Sequence, residues 1–108
     1  MITVTYDRDD NRVVVTGHAQ SGEAGHDLVC AATSILTYTI ASSIENMVAA
    51  GHVREHHIEF MDGYSIITCL APDKLKSTIT LMFDTVCAGF ELLAHDYPEN
   101  ISYKIVHN

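Results

Sequence analysis

The sequence is poor in basic residues and lacks any long uninterrupted apolar run. Six of its 108 residues are Lys or Arg and fourteen are Asp or Glu, which gives a formal net charge of −8. A chain with so few cations is expected to repel nucleic-acid phosphates and to favour a basic partner. Because no apolar run approaches the roughly 20 residues that a membrane span needs, we also expect no contact with a membrane.

Cysteine is scarce as well. The three residues Cys30, Cys69 and Cys87 are odd in number, widely spaced and never arranged as CxxC. The number and spacing of the cysteines therefore argue against a disulfide framework and against a zinc site made of four thiolates. The start of the chain, Met1 to Thr5, alternates like a strand and does not resemble a secretory signal. We therefore expect a cytoplasmic protein with reduced thiols.

The hydrophobic pattern predicts one domain over residues 1–108, of class α+β with element order ββαββαβ. Hairpins join neighbouring strands, and Asp62-Gly63 is a strong turn signal. We therefore expect a mostly antiparallel sheet covered by two helices. The strand-like runs are Ile2 to Tyr6, Arg12 to Gly17, Val53 to Phe60, Tyr64 to Ala71 and Ile101 to Val106.

Two helices are predicted from apolar residues at three- and four-residue steps. The first begins after Asp27 as N-cap and ends at Gly51, and the second opens at Pro72-Asp73 and stops at Pro98. The buried face of the first is expected to carry Val29, Thr33, Leu36, Ile40, Ile44 and Met47. That of the second is expected to carry Leu75, Ile79, Met82, Val86, Phe90, Leu93 and Tyr97.

The richest chemistry lies between the second strand and the first helix. His18 follows that strand, and Cys30, twelve positions later, falls in the first turn of the helix. The unpaired N–H groups and dipole of a helix start favour a thiolate, and an imidazole can hold its proton. Cys30 and His18 are therefore the candidate catalytic nucleophile and base.

Other residues around this pair have two interpretations each. Asp27 caps the helix or orients His18. Gly22 and Gly25 serve turn chemistry or a loop that orders around a substrate. Ser34 lies one turn after Cys30 and either hydrogen-bonds near the site or bonds back onto its own helix.

The segments Gly17-His18-Ala19 and Gly25-x-Asp27-Leu28-Val29-Cys30-Ala31-Ala32, followed by Ser34, resemble the ribosomal-processing cysteine protease family, called Prp. The resemblance extends over the whole chain, including the Asp62-Gly63 hairpin and the Tyr97-Pro98-Glu99 segment before the last strand. It implies that Cys30 is the nucleophile and His18 its base. It also implies a homodimer, with no cofactor, and a mobile loop between these two residues.

Members of that family remove a short N-terminal extension from the twenty-seventh large-subunit ribosomal protein of bacteria. Such a substrate is basic, which agrees with the acidic balance of this chain. The loop departs from the family pattern, because Gln20-Ser21 and Glu23-Ala24 stand where many members carry Gly-Tyr and a second aromatic residue. The resemblance therefore implies the chemistry more firmly than the residue preference around the cleaved bond.

Two other functions remain open at this point. A non-catalytic module could dock on the ribosome or a ribosomal protein through its acidic surface. A zinc or redox regulator could use His18, His26 and Cys30. Cys69 and Cys87 are expected to be core residues. His52, His56 and His57 are expected on the surface, the last two on opposite faces of a strand.

Overall fold

Five β-strands form one sheet in the part of the chain that the computed structural model describes, residues 1–17 and 26–107. Of His26 and Asp27 only the backbone is described. The elements are β1 (Ile2–Asp7), β2 (Arg12–Thr16), α1 (His26–Ala49), β3 (Glu55–Met61), β4 (Tyr64–Leu70), a short 3₁₀ turn (Asp73–Leu75), α2 (Lys76–Asp96) and β5 (Ile101–Val106). The predicted α+β class and element order are confirmed.

The strand order across the sheet is β3-β4-β2-β1-β5. The pairs β1–β2, β2–β4 and β3–β4 are antiparallel, as their hairpins and the long return through α1 require. Strand β5 lies parallel to β1, because α2 carries the chain back along the sheet before β5 begins. The sheet is thus mostly antiparallel, as predicted, with one parallel pair at an edge.

One face of the sheet carries the core. In β1, Ile2, Val4 and Tyr6 are buried while the residues between them are only partly covered. This alternation follows from the two-residue period of a strand whose one face is packed. The Tyr6 ring stacks on Phe83 of α2, with centroids 5.8 Å apart. Val29, Ile40 and Ile44 of the first helix belong to the same core cluster, so both helices contribute to one hydrophobic core with the sheet.

Helix α1 has the buried face that its spacing predicts. Val29, Ile40 and Ile44 are fully buried. The helix ends in a Schellman motif around Gly51, whose φ is +80°. The N–H of Gly51 donates to the carbonyl of Val48, and the N–H of His52 donates to that of Met47. Gly51 therefore ends the helix as predicted, because its backbone adopts a conformation that glycine favours.

Helix α2 begins slightly later than predicted. Pro72 is extended, the 3₁₀ turn follows it, and the α-helix starts at Lys76. The tight first turn is a common helix entry. At the other end, the N–H of Tyr97 donates to the carbonyl of Leu93 before Pro98 stops the helix.

The turn between β1 and β2 is less exposed than its polar sequence suggests. Asn11 is fully buried with φ 48°, and its side-chain amide donates to Thr80 Oγ1 of α2. Its Oδ1 accepts from Lys76 Nζ, and its carbonyl accepts from the N–H of Cys69. Asparagine tolerates this left-handed backbone, and its side-chain amide bonds to α2 while its main-chain carbonyl bonds to β4.

Both helices are long and apolar enough to cross a membrane if only length and composition are considered. The sequence contains no sufficiently long uninterrupted apolar run, because polar residues interrupt the apolar residues in both helices. In the structure, one face of each helix packs on the sheet and supplies core residues such as Ile40 and Phe83. A core helix that packs on a sheet meets the same criteria of length and composition, so these criteria alone are weak evidence for a membrane span.

Candidate active site

Cys30 lies where α1 begins and is the partly buried member of three free thiols. Its neighbour Val29 points into the core, whereas Cys30 packs at the edge of that core. Helical side chains lean toward the N-terminus of their helix, so the thiol leans over the first turn. That turn presents the four N–H groups without an intrahelical acceptor, and it is the positive end of the helix dipole.

The start of α1 differs from the sequence expectation by two residues. The helix begins at His26, so the backbone of Asp27 lies inside the first turn and not at the N-cap position. Cys30 is accordingly the fifth helical residue and not the third. Its own N–H is used within the helix, and the unpaired donors belong to the residues just before it.

A pocket of about 430 Å³ opens beside Cys30. One wall is α1, the floor is the end of β2, and the opposite wall is the turn of the β3–β4 hairpin, residues 60–65. The α1 residues that line it are Cys30, Thr33, Ser34, Thr37 and Tyr38. These residues recur at three- and four-residue steps, so a single helix face presents the thiol and four hydroxyl-bearing side chains.

Two contacts hold the hairpin wall in position. The N–H of Gly17 donates to the carbonyl of Gly63 over 3.0 Å, which ties the end of β2 to the hairpin turn. The rings of Tyr38 and Phe60 meet edge to face with centroids 5.1 Å apart, which ties α1 to the end of β3. The hairpin wall is therefore joined to the floor of the pocket by one contact and to the α1 wall by the other.

The pocket is polar on the helix side and aromatic on the hairpin side. Thr33 and Thr37 are almost completely buried, while Ser34 is exposed. Asp62 is the charged carboxyl side chain among the described residues that line it. The site thus combines a thiol, hydroxyl groups, aromatic rings and one negative charge, which suits a peptide with apolar and cationic parts.

The two other thiols are core residues, as the sequence predicts. Cys69 and Cys87 are each 1% exposed. Burial raises the pKa of the Cys87 thiol to about 12 and raises that of Cys69 above its ordinary value. Both remain protonated and inaccessible at neutral pH, so neither competes with Cys30 as a nucleophile.

Several predicted site residues lie outside the described part of the chain. These are His18, Gly22 and Gly25, together with the side chains of His26 and Asp27. Their roles remain predictions. Among the described residues, no group of three or more His, Cys, Asp or Glu side chains could hold a metal ion. His52, His56 and His57 are exposed, as expected, and His56 and His57 pair with neighbouring residues of β4 on opposite faces.

Sequence reasoning missed the hairpin wall of the pocket. It identified Asp62-Gly63 as a turn but assigned no role to Phe60 or Tyr64, nor to Tyr38 of α1. The signal was present in part, because exposed aromatic residues beside a tight turn are unusual for a solvated hairpin tip. The turn lies beside Cys30 because of the strand order. Strand β4 pairs with β3, its neighbour in the sequence, and also with β2, which leads toward the start of α1.

Comparisons with known proteins agree on one class. The family model described as "Cysteine protease Prp" matches residues 1–102. Ribosomal processing cysteine protease Prp of Staphylococcus aureus is 27% identical over 105 residues, which is 95% of each chain. SMU.848 from Streptococcus mutans has a crystal structure with TM-score 0.69 and 30% identity, covering 99% of this chain and 93% of the other.

A crystal structure of the essential ribosomal processing protease Prp from S. aureus, with a covalently linked product peptide, is also similar. Its TM-score is 0.72 and its identity 27%, covering 98% of this chain and all of the other. The fold, the accessible thiol and these matches define a cysteine protease, a peptide-bond hydrolase. The chain belongs to the Prp family of ribosomal processing cysteine proteases. Of the three functions that the sequence left open, this membership favours the protease.

Proposed function

We propose that this protease cleaves an N-terminal extension from the twenty-seventh large-subunit ribosomal protein, with Cys30 as nucleophile and His18 as base. The observation that carries the proposal is the position of Cys30. It is a partly buried thiol at the start of α1, it lines a 430 Å³ pocket, and the other two thiols are buried in the core. A thiol that attacks a peptide bond must be accessible to the substrate, and a helix N-terminus favours its reactive thiolate form.

The proposed reaction has two stages. The Cys30 thiolate attacks the scissile carbonyl carbon, and the C–N bond then breaks as His18 donates a proton to the leaving amine. The acyl group remains on sulfur as a thioester, which a water molecule hydrolyses after His18 accepts its proton. The N–H groups of the first turn of α1 donate to the oxyanion in both stages. Asp27 orients His18 or stabilises the helix start.

A basic substrate fits the charge of the enzyme. The chain carries a formal net charge of −8, and Asp62 adds a negative charge at the pocket. Opposite charges speed encounter and favour binding of a cationic segment. The S. aureus relative is a ribosomal processing cysteine protease, and its structure with a covalently linked product peptide supports a peptide from a ribosomal protein as substrate here. Gly22, Gly25 and Ser34 would contact that peptide.

The proposal is tested by mass spectrometry of the extended ribosomal protein after incubation with the enzyme. We expect one new N-terminus, produced by the parent protein and absent after treatment with Cys30→Ala or His18→Ala. Intact substrate in all three reactions would contradict the proposed substrate. Cleavage by Cys30→Ala would contradict the proposed nucleophile.

We further propose that the enzyme acts as a cytoplasmic homodimer without a cofactor, and that it binds neither nucleic acid nor membranes. Exposed apolar side chains on the outer faces of both helices support a partner surface, among them Ile35, Leu81 and Leu92. Sedimentation equilibrium without detergent tests this, because a homodimer has twice the chain mass of 11.9 kDa. A monomer at all micromolar concentrations would contradict it.

A further inference from the structure

Thr33 has an unusual side chain. It is 5% exposed, and among the described residues its Oγ1 is the buried side-chain polar atom that has no hydrogen-bond partner. A buried hydroxyl without a partner loses its bonds to water and gains nothing in return. Native proteins contain few such groups, and each one calls for an explanation.

Other threonines in the same two helices avoid this loss. The hydroxyls of Thr37, Thr39 and Thr85 each donate to the carbonyl four residues earlier, over 2.6 to 2.7 Å. This back-bonding is the usual solution for a threonine inside a helix. Thr33 therefore stands apart from its neighbours, although Thr37 lies one turn later on the same helix face.

The position of Thr33 offers a functional reason. It is three residues after Cys30, which places the two side chains side by side on the helix, and both line the same pocket. A substrate peptide that presents its scissile bond to the thiol must pass within reach of this residue. The main chain of such a peptide carries N–H and C=O groups that need partners once the pocket closes around them.

We propose that the Thr33 hydroxyl binds the main chain of the substrate peptide next to the cleaved bond. In the free enzyme the hydroxyl is shielded and has no hydrogen-bond partner among the described residues. Threonine in a helix populates two χ1 rotamers, so rotation can turn the hydroxyl toward the pocket without moving the backbone. The hydrogen bond from the Thr33 hydroxyl then forms only when the peptide is present. A hydroxyl that destabilises the free protein thereby contributes to binding in the complex.

This inference rests on the proposed function, because it takes the pocket at Cys30 as the substrate site. The test compares Thr33→Val, which replaces the hydroxyl by a methyl group of similar shape, with the parent enzyme. We expect the melting temperature to stay unchanged or to rise, since an unpaired hydroxyl is removed. We expect KM for a peptide spanning the ribosomal-protein extension to rise about tenfold, with kcat nearly unchanged.

Two further variants separate binding from structure. Thr33→Ser keeps the hydroxyl and should return KM to within about twofold of the parent, which marks the hydroxyl as the binding group. Thr39→Val removes an exposed, back-bonded hydroxyl from the same helix and should leave KM unchanged. A fall in the melting temperature of Thr33→Val would show that its hydroxyl has a structural partner and would overturn the inference.

The kinetic result distinguishes this inference from the proposed function. If the parent cleaves the peptide and Thr33→Val does so with the same KM, the inference is wrong and the proposed function stands. If the parent enzyme does not cleave the peptide, the proposed function fails and the inference fails with it.

Discussion

Three cysteines occupy three different environments, and their differences determine which one can react. Cys69 lies in β4 beneath the helices, and Cys87 lies on the buried face of α2. Burial disfavours the charged thiolate and raises the pKa of both thiols. Cys30 is accessible from the pocket and lies at a helix start. Selectivity for one thiol thus follows from where each side chain is placed.

Alkylation with iodoacetamide at neutral pH should therefore modify one cysteine in the native protein and three after denaturation. Peptide mapping should find the native modification on Cys30, because reagent reaches only this thiol. The Cys30→Ala variant is the control and should take up no reagent while folded. Modification of Cys69 or Cys87 at a similar rate would contradict the packing described here.

At the residue scale the sequence predicted the buried thiols correctly and some polar partners not at all. Cys69 and Cys87 are core residues, as predicted, whereas the role of Cys30 as nucleophile stays a prediction. The residues between β1 and β2 have the polar composition of an exposed turn, yet Asn11 is buried and bonds to α2. Its α2 partners Thr80 and Lys76 are 69 and 65 residues away in the chain, so no local pattern could reveal them.

At the scale of elements, Gly17 is a point of contact between strands. It follows the last residue of β2 and precedes His18. Its φ is +95°, and a Cβ placed there would overlap the carbonyl oxygen of Met1. Its N–H also donates to Gly63 in the hairpin turn. The start of β1, the end of β2 and the hairpin wall of the pocket are therefore joined at one residue where only glycine fits.

Replacing Gly17 by alanine should lower the free energy of unfolding by roughly 3 kcal/mol, since unfavourable φ and a backbone overlap add together. Gly51→Ala is the matched control. Its φ is +80°, but a Cβ there meets nothing within 4 Å, so we expect a loss of about 1 kcal/mol. Urea denaturation measures both values. Equal losses for the two variants would show that the Met1 contact is unimportant.

Gly17→Ala should also reduce peptide cleavage by more than its loss of stability explains. The residue precedes His18 directly and fixes the wall opposite Cys30, so a displaced backbone would misalign the reacting groups. Activity is measured at a temperature where the variant remains folded. Parent-like kcat/KM under those conditions would contradict this role.

Elements themselves were predictable because each has a local cause. The spacing of apolar residues predicted both helices, Gly51 and Pro98 predicted where they end, and Asp62-Gly63 predicted the hairpin. The 3₁₀ entry of α2 and the start of α1 at His26 differ by a few residues, since helix starts depend on hydrogen bonds that a periodic pattern does not specify. The pocket wall required the order of strands, which is a property of the whole sheet.

The sheet and α2 are also linked by a polar network across the whole molecule. Arg8 donates through Nε and Nη2 to both oxygens of Asp84, at 3.0 to 3.2 Å, and the buried Tyr6 hydroxyl donates to Oδ1 over 2.8 Å. The hydrogen bond from Arg8 is the main reason that the pKa of the Asp84 carboxyl lies below its ordinary value. This network joins residues 76 or more positions apart.

The lowered pKa of Asp84 predicts how stability depends on pH. An aspartate in the unfolded chain takes up a proton near pH 4, whereas Asp84 in the folded protein stays ionised to lower pH. Its contribution is therefore complete above about pH 4 and is lost as pH falls through the folded-state value. Both partners are partly exposed, so the contribution is modest.

Asp84→Asn tests this, because it keeps the shape and an oxygen acceptor for Tyr6 while removing the charge. We expect a melting temperature a few degrees below that of the parent at pH 7, with the difference narrowing as the pH falls below 4. Thermal unfolding by circular dichroism across this range gives the comparison. A difference that is constant with pH would mean that the carboxylate charge contributes nothing.

The whole account depends on one thiol performing the chemistry, and the most direct measurement compares cleavage rates of two cysteine variants. The probe is a peptide spanning the ribosomal-protein extension, followed by mass spectrometry. Cys30→Ala should lose at least about a thousandfold in rate, while Cys69→Ala, folded and lacking only a core thiol, should cleave at nearly the parent rate. Cleavage by Cys30→Ala at the parent rate would contradict the account.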